Sequence, residues 1–435
     1  MTTVAETPVD ALSRYLDTQQ ALTHICIAYS GGMDSHVLLH AAAQVLGESP
    51  SISIRAIHID HGLQADSEQW THHAEAVCDE LNIPLHVRRV TVLETGKGPE
   101  AAARQARYEA FSEILLPGEH LLLAQHADDQ AETFLLQALR GAGPDGLASI
   151  AHKRTFSDGY LARPLLGCKQ ESLKKYALAN GLQWIEDPSN SDSRFDRNFL
   201  RNEVMPLLQS RWPSLSQTLS RSAMHCAAAS QTLQDIADGD LELVRVRGTD
   251  QLSVLALNEL GRERAFNVLR LWVRRSGLRV PRQQDLLQTD RDLLRAEEST
   301  TGVVNARDYE FRRYRDRLYL IPGQFSAQPF SLEWSEPFDD LLIPETGQLL
   351  SKAACALQGI ALPSAGKVTV RSRTGGELIK LGEPAFHKAV KKVLQEASVP
   401  PWQRETVPLL YVGDRLAAVW NIAVAVDFRA ITETV

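Results

Sequence analysis

Ser30-Gly31-Gly32-Met33-Asp34-Ser35 puts two glycines, two hydroxyls and a carboxylate between an apolar run and a helical pattern. Glycines let a backbone turn tightly and come close to an anion. A helix that starts among them offers unpaired N–H groups and the positive end of its dipole, which suits phosphate. Ser30 and Ser35 add hydroxyl donors. Asp34 would repel phosphate unless a cation lay between them, which points to Mg²⁺. The lysine of the G-x-x-x-x-G-K-[ST] loop is absent.

Three further clusters could do chemistry. His58-Ile59-Asp60-His61-Gly62-Leu63-Gln64 joins imidazoles and a carboxylate, but no further His/Cys set has metal-ligand spacing. Arg104 and Arg107 are three apart and share a helix face, where guanidinium groups suit phosphate. Gln125-His126-Ala127-Asp128-Asp129-Gln130-Ala131-Glu132-Thr133 places Asp128 and Glu132 four apart on one face. Carboxylates there could bind an ammonium group, order Mg²⁺ or take a proton. Arg163-Pro164-Leu165-Leu166, Glu186-Asp187-Pro188-Ser189-Asn190 and Arg197-Asn198-Phe199-Leu200-Arg201 follow, with Arg197 and Arg201 again four apart.

The elements that must position these residues alternate in type. Strands are expected at 25–29, 51–59, 85–90 and 120–124, with helices at 37–46, 66–81, 99–115 and 127–140. Strand alternating with helix means a parallel sheet covered on both faces, with ligands beyond the carboxyl ends of the strands. The clusters up to Thr133 fall at those ends or open the helices that follow. The rhythm stops near Arg194. Residues 194–275 read as helical, with 265–273 the clearest amphipathic stretch. A strand is expected at 312–321 and a proline-bearing linker at 322–337. Short strands at 368–371, 409–412 and 417–419 then flank a basic helix at 385–395.

A chain of 435 residues is too long for one ordinary core and suggests two or three domains. No leader pattern and no long uncharged apolar run is visible, so a cytoplasmic protein with no membrane partner is expected. The five cysteines are scattered and include no CxxC pair, which argues against a disulfide framework or a cysteine-bound metal. Net charge is −8, yet residues 367–405 hold eight basic against four acidic side chains. A polyanion footprint is therefore expected there.

The loop at 30–35 resembles the SGGxDS loop of PP-loop ATP pyrophosphatases. The 58–64 string, with Gln64 in place of the usual arginine, is similar to the H-x-D-H-G-L-R motif of lysidine synthetases. The 126–133 string, E-D-P-S-N at 186–190, R-N-x-x-R at 197–201, and the segments around Arg373, Lys388 and Arg404 are also similar to that family. This resemblance implies an α/β PP-loop domain of the adenine nucleotide alpha-hydrolase-like type at 1–215. A mainly helical tRNA-interacting domain at 216–325 and a small α+β tRNA-binding domain at 336–435 would follow.

The implied cofactors are ATP and Mg²⁺. The implied partners are L-lysine and the isoleucine tRNA with a CAU anticodon, and a homodimer is one open arrangement. The implied reaction is ligation of lysine to C2 of the wobble cytidine through an adenylated intermediate. Ser30, Gly31, Gly32, Met33, Asp34, Ser35, His58, Asp60 and His126 are expected to hold the nucleotide, with Asp34 also on Mg²⁺. Asp34, Asp128, Glu132, Arg104 and Arg197 are expected to act in catalysis. Arg107, Asp129, Thr133, Arg201, Arg373, Lys388, Lys391, Lys392 and Arg404 are expected to contact substrate or tRNA. A PP-loop sulfur transferase would need paired cysteines, and an amidotransferase an ammonia-delivering domain, and neither is visible. A non-catalytic nucleotide-binding module is the alternative from another class.

Overall fold

The computed structural model describes residues 6–19, 21–47, 52–60, 62, 67–91, 99–297, 302–323, 326, 328–363, 366–382 and 386–430. The chain forms two compact units, Met1–Leu233 and Gln234–Val435.

The first unit runs α1 (Pro8–Asp17), β1 (His24–Ala28), α2 (Met33–Leu46), β2 (Ser53–Asp60), α3 (Ser67–Glu80), β3 (Leu85–Arg89), α4 (Pro99–Ile114), β4 (His120–Leu122) and α5 (Ala127–Leu139). It continues through α6 (Pro144–Leu147), β5 (Lys153–Phe156), β6 (Gly159–Ala162), α7 (Gln170–Ala179) and α8 (Asp196–Phe199). The strands form one sheet in the order β3-β2-β1-β4-β6-β5. All neighbours are parallel except β5 against β6.

Alternation along β1 shows why the sheet is apolar on both faces. Ile25 and Ile27 enter a core built with α1, α2, α3 and α7, including Leu12, Leu38, Cys78 and Leu173. Cys26 faces the other way, toward Phe111 and Leu115 beside Leu121 and Leu161. Strand order reverses at β1, with β2 on one side and β4 on the other. A crevice therefore opens at the carboxyl ends of β1 and β4, the usual ligand position in such sheets.

The expected strands and helices of this unit are present, with ends shifted by a few residues. The hairpin of β5 and β6 extends the sheet beyond the expected strands. It sits close: a Cβ on Gly159 would lie 2.3 Å from the Glu119 carbonyl oxygen and 3.0 Å from Leu115 Cδ1's partner methyl, Cδ2.

In the second unit, helices Val254–Leu260, Arg262–Arg275 and Gln283–Thr289 pack on a four-stranded antiparallel sheet. Trp272 stacks on Phe311 at 6.1 Å within that core. The single strand expected at 312–321 is a hairpin of Tyr309–Tyr314 and Arg317–Pro322. Arg315 turns it at φ 55°, and Asp316 accepts from Ser253 Oγ (2.8 Å) and Leu255 N–H (2.7 Å). A distant helix start thus decides what local pattern reads as strand interior.

Part of the expected linker at 322–337 is a strand, Ser331–Ser335, which pairs with Lys367–Arg371. Leu409–Val412 and Arg415–Val419 extend the same sheet. The basic helix is shorter than expected. Phe386–Ala389 is a strand paired with Leu378–Gly382, and only Val390–Glu396 is helical. The ladder takes up backbone that charge spacing alone would assign to the helix.

Gly159→Ala should lower stability by about 2 kcal/mol through overpacking, read as a fall in thermal midpoint. A wild-type midpoint would contradict the close approach of the hairpin to Glu119.

Candidate active site

The phosphate loop is held by its own hydroxyls. Ser35 Oγ donates to the Gly32 carbonyl (2.9 Å) and accepts from Ser30 N–H (3.2 Å). Ser30 Oγ lies 3.0 Å from Ser35 Oγ. The two serines therefore brace the loop, and Ser35 is not an idle donor. Gly31 sits at φ 85°, and its carbonyl accepts from Ile185 N–H at 3.0 Å. Gly32 caps α2 without a side-chain acceptor, which leaves that helix start for an anion. Met33 packs against the core beneath.

His126 faces this loop from the end of β4. As N-cap of α5, its Nδ1 accepts from Asp128 N–H (3.2 Å), while its own N–H donates to Asp129 Oδ2 (3.0 Å). Its Nε2 lies 3.5 Å from Asp34 Oδ2 and 3.4 Å from Asp129 Oδ2. Burial opposes charge on this ring, but Asp129, Asp34 and Asp128 outweigh it and raise the pKa to about 9. With Nδ1 accepting, one proton sits on Nε2. A second, on Nδ1, gives up the bond from Asp128 N–H and faces Asp128 Oδ2, 3.7 Å away.

Asp34 Oδ1 is buried without a hydrogen-bond partner. A spare carboxylate oxygen beside a phosphate loop fits Mg²⁺, which keeps waters and substrate phosphates as its other ligands. Among the described residues no cluster of three or more His, Cys, Asp or Glu makes an all-protein metal cage.

A lattice of four charged groups lies one turn along α5. Arg197 donates Nε to Glu132 Oε2 (3.0 Å) and Nη2 to Asp129 Oδ1 (2.9 Å). Arg201 donates Nε to Glu132 Oε1 (2.7 Å), and Nη2 to Glu132 Oε2 and Asp129 Oδ1, both at 2.9 Å. Burial would raise the Asp129 carboxyl, but His126, Arg197 and Arg201 hold it below the usual range. Burial also works against the Arg201 charge, yet Glu132, Asp129 and Asp34 raise its pKa above that of an ordinary arginine. Arg201 lies in a turn of π-helix, Leu200–Val204, after α8. Such turns are frequent at functional sites.

Asp128 is held by neutral donors. Its Oδ2 accepts from Gln170 N–H (2.9 Å), and its Oδ1 from Ser216 Oγ (2.6 Å) and Gln209 Nε2 (3.4 Å). These three holders were missed by sequence reasoning, because no spacing rule links residue 128 to residues 170, 209 and 216. Thr133 Oγ1 donates to the Asp129 carbonyl at 2.8 Å.

The remaining expected residues are more scattered. His58 Nδ1 meets the Tyr29 carbonyl at 3.0 Å, and burial pushes its pKa down. Asp60 accepts from Gly62 N–H (2.9 Å) and pairs with Arg89 (3.2 Å). His61, Leu63 and Gln64 lie outside the described residues. Arg104 and Arg107 are exposed on α4, and Arg104 covers the Tyr108 ring at 4.9 Å.

Arg373, Lys388, Lys391, Lys392 and Arg404 belong to the second unit. Arg373 pairs with Glu377 (3.3 Å), and Lys388 pairs with Glu396. Arg404 donates to the Val399 carbonyl (2.8 Å) and the Tyr314 hydroxyl (3.0 Å). Lys391 and Lys392 are exposed, with no ion-pair partner among the described residues.

Residues 4–208 match the PP-loop domain, which sets the class of the first unit. Residues 252–319 match the TilS substrate binding domain and residues 368–434 the TilS substrate C-terminal domain. The tRNA(Ile)-lysidine synthase of Coxiella burnetii is 41% identical over 97% of this chain and 94% of its own length. Those of Serratia proteamaculans and Escherichia coli O157:H7 are each 40% identical, over 92% and 94% of this chain and 92% and 93% of their own lengths. The chain belongs to the tRNA(Ile)-lysidine synthase family, and so to the ligases.

His126 ordinarily titrates near 6.5 in an unfolded chain. Its raised folded pKa means its contribution is full below about pH 6.5 and is lost as pH rises through about 9. The stability advantage of wild type over His126→Asn, measured by urea unfolding, should shrink across that window. An advantage that stays constant from pH 6 to 10 would contradict a charged ring.

Proposed function

We propose that this protein joins L-lysine to C2 of the wobble cytidine of CAU-anticodon isoleucine tRNA, with ATP split to AMP and diphosphate. The observation that carries this reading is the meeting of Asp34, His126, Asp128 and Asp129 at the ends of β1 and β4, beside the phosphate loop. The names of the relatives supply the substrate.

In the first step, O2 of the cytosine attacks the α-phosphorus of ATP and diphosphate leaves. The loop at 30–35 and the start of α2 bind the departing phosphates, and Arg104 and Arg107 serve the α-phosphate or the tRNA backbone. Asp34 would hold Mg²⁺, which supplies charge screening between the phosphates. His58 and Asp60 shape the end of β2 beside the nucleotide. In the second step, the lysine ε-nitrogen attacks C2, the C2–O2 bond breaks, and AMP departs with O2. The target base must leave its stack to enter such a site.

The amine must first lose a proton, which at pH 7 costs about 4.6 kcal/mol from a free pKa near 10.4. Asp128 and Glu132 are the two proposed acceptors. Both oxygens of Glu132 face guanidinium groups, so a lysine ammonium there would have to displace an arginine. Asp128 accepts hydrogen bonds from uncharged donors, with the His126 ring 3.7 Å from its Oδ2 and no arginine paired to it among the described residues, and is the better placed of the two. Asp129, Thr133, Arg197 and Arg201 fix the walls of this site.

The expected outcome is diphosphate release that requires the isoleucine tRNA, is not given by methionine tRNA, and accompanies entry of lysine into the tRNA. Asp128→Asn should slow lysine entry about 100-fold or more while diphosphate release persists. Glu132→Gln should weaken both steps, because it loosens two arginines. Near-wild-type lysine transfer in both variants would refute the acid–base role.

Lys391 and Lys392 are proposed to hold the tRNA body, together with Arg373, Lys388 and Arg404. Substitution tests this better than truncation, because Trp402 packs on Tyr319 (5.2 Å) and Ser398 accepts from Arg315 (2.5 Å). Lys391→Ala with Lys392→Ala should lower the salt slope of tRNA binding by about two. An unchanged slope would remove the pair from the interface.

A further inference from the structure

Arg163 follows β6 and opens the Arg163-Pro164-Leu165-Leu166 string, for which the proposed reaction has no use. It is 4% exposed. Its Nε donates to Gln125 Oε1 and its Nη1 to the Ala151 carbonyl at 2.7 Å. Both partners are uncharged. The other deeply placed arginines of this unit differ: Arg55 pairs with Glu119, and Arg197 and Arg201 pair with Asp129 and Glu132. A buried guanidinium without a counter-charge is costly, and it is held either by neutral acceptors, as carbonyls hold Arg313 in the second unit, or by a charge that a ligand brings.

Two more arginines stand at the same place. The Arg104 guanidinium lies 4.9 Å and the Arg154 guanidinium 5.9 Å from the centre of the Tyr108 ring. Arg104 Nη2 also donates to the Tyr108 hydroxyl at 3.3 Å. Arg154 is exposed on β5, opposite Leu161 of β6. Burial lowers the Arg163 pKa, and Arg154 and Arg104 push the same way against Tyr108. Among the described residues no carboxylate lies within ion-pair distance of any of the three. Gln125, which holds Arg163, precedes His126, so the cluster borders the candidate active site.

We propose that Arg104, Arg154 and Arg163 form a seat for one phosphodiester phosphate of the tRNA beside the target cytidine. Arg104 and Arg154 reach its oxygens. Arg163 is a positioning residue that holds fixed charge behind Tyr108. The inference rests on the proposed reaction for the owner of that phosphate. The sheet order favours the tRNA over the nucleotide. β5 lies three strands from β1, roughly 14 Å at about 4.8 Å per strand, which is far for a nucleotide whose phosphates occupy the loop after β1.

The test uses the full chain with Arg154→Gln, an exposed position, and the Arg154→Lys control. Binding of CAU-anticodon isoleucine tRNA is measured over a salt series, and binding of a non-hydrolysable ATP analogue is measured beside it. Arg154→Gln should weaken tRNA binding about fivefold to tenfold at low salt and lower the salt slope by about one, with analogue binding unchanged. Arg154→Lys should restore the slope. Weaker analogue binding with intact tRNA binding would keep the phosphate seat but give it to the nucleotide. No change in either would overturn the seat. Wild-type protein that binds this tRNA yet releases no diphosphate would fail the proposed reaction and leave the seat standing, because the seat is read from binding alone.

Discussion

The pairing of Asp129 and Glu132 with Arg197 and Arg201 is the interaction on which the rest of the site depends. Buried charges are tolerated only when each is met by an opposite charge and by hydrogen bonds. Here two carboxylates on α5 and two guanidinium groups from a segment more than sixty residues later meet that condition together. The segment is thereby fixed over the end of β4. Asp129 also accepts from the His126 backbone, and His126 faces Asp34 of the phosphate loop. One continuous chain of contacts therefore runs from the loop after β1 to Arg201.

That chain separates two kinds of carboxylate. Asp129 and Glu132 are committed to arginine and hold the site's shape. Asp128 accepts from a hydroxyl, an amide and a backbone N–H beside the His126 ring, and Asp34 keeps an unpartnered oxygen. The proposed chemistry draws on this difference, since a proton acceptor and a cation ligand both need capacity that an ion pair has already used. The arginines divide in the same way. Arg197 and Arg201 are neutralised within the fold, whereas Arg104, Arg154 and Arg163 have no acid within ion-pair distance among the described residues, and Arg104 and Arg154 are exposed.

Much of the first unit is legible in the sequence, because a parallel sheet covered on both faces leaves short apolar runs at regular intervals. The phosphate loop is legible for a local reason: glycines, hydroxyls and a helix start must be contiguous to work. The positions of Asp128, Glu132, Arg197 and Arg201 can be found from four-residue spacing, but their partners cannot. Periodicity within α5 does not say that Glu132 meets arginines far along the chain, or that Ser216 holds Asp128. The same limit explains the hairpin turned at Arg315, where Asp316 serves a distant helix start. It also explains the strand Phe386–Ala389, whose ladder with Leu378–Gly382 overrides a helical charge pattern.

In the proposed reaction this site activates the cytosine by placing the nucleotide's α-phosphate on O2. The most direct measurement is a single turnover with isoleucine tRNA carrying ¹⁸O at O2 of the wobble cytidine, with the AMP product analysed by mass spectrometry. AMP should carry the label, and the lysine-bearing tRNA should have lost it. Unlabelled AMP formed alongside lysine incorporation would contradict activation at O2.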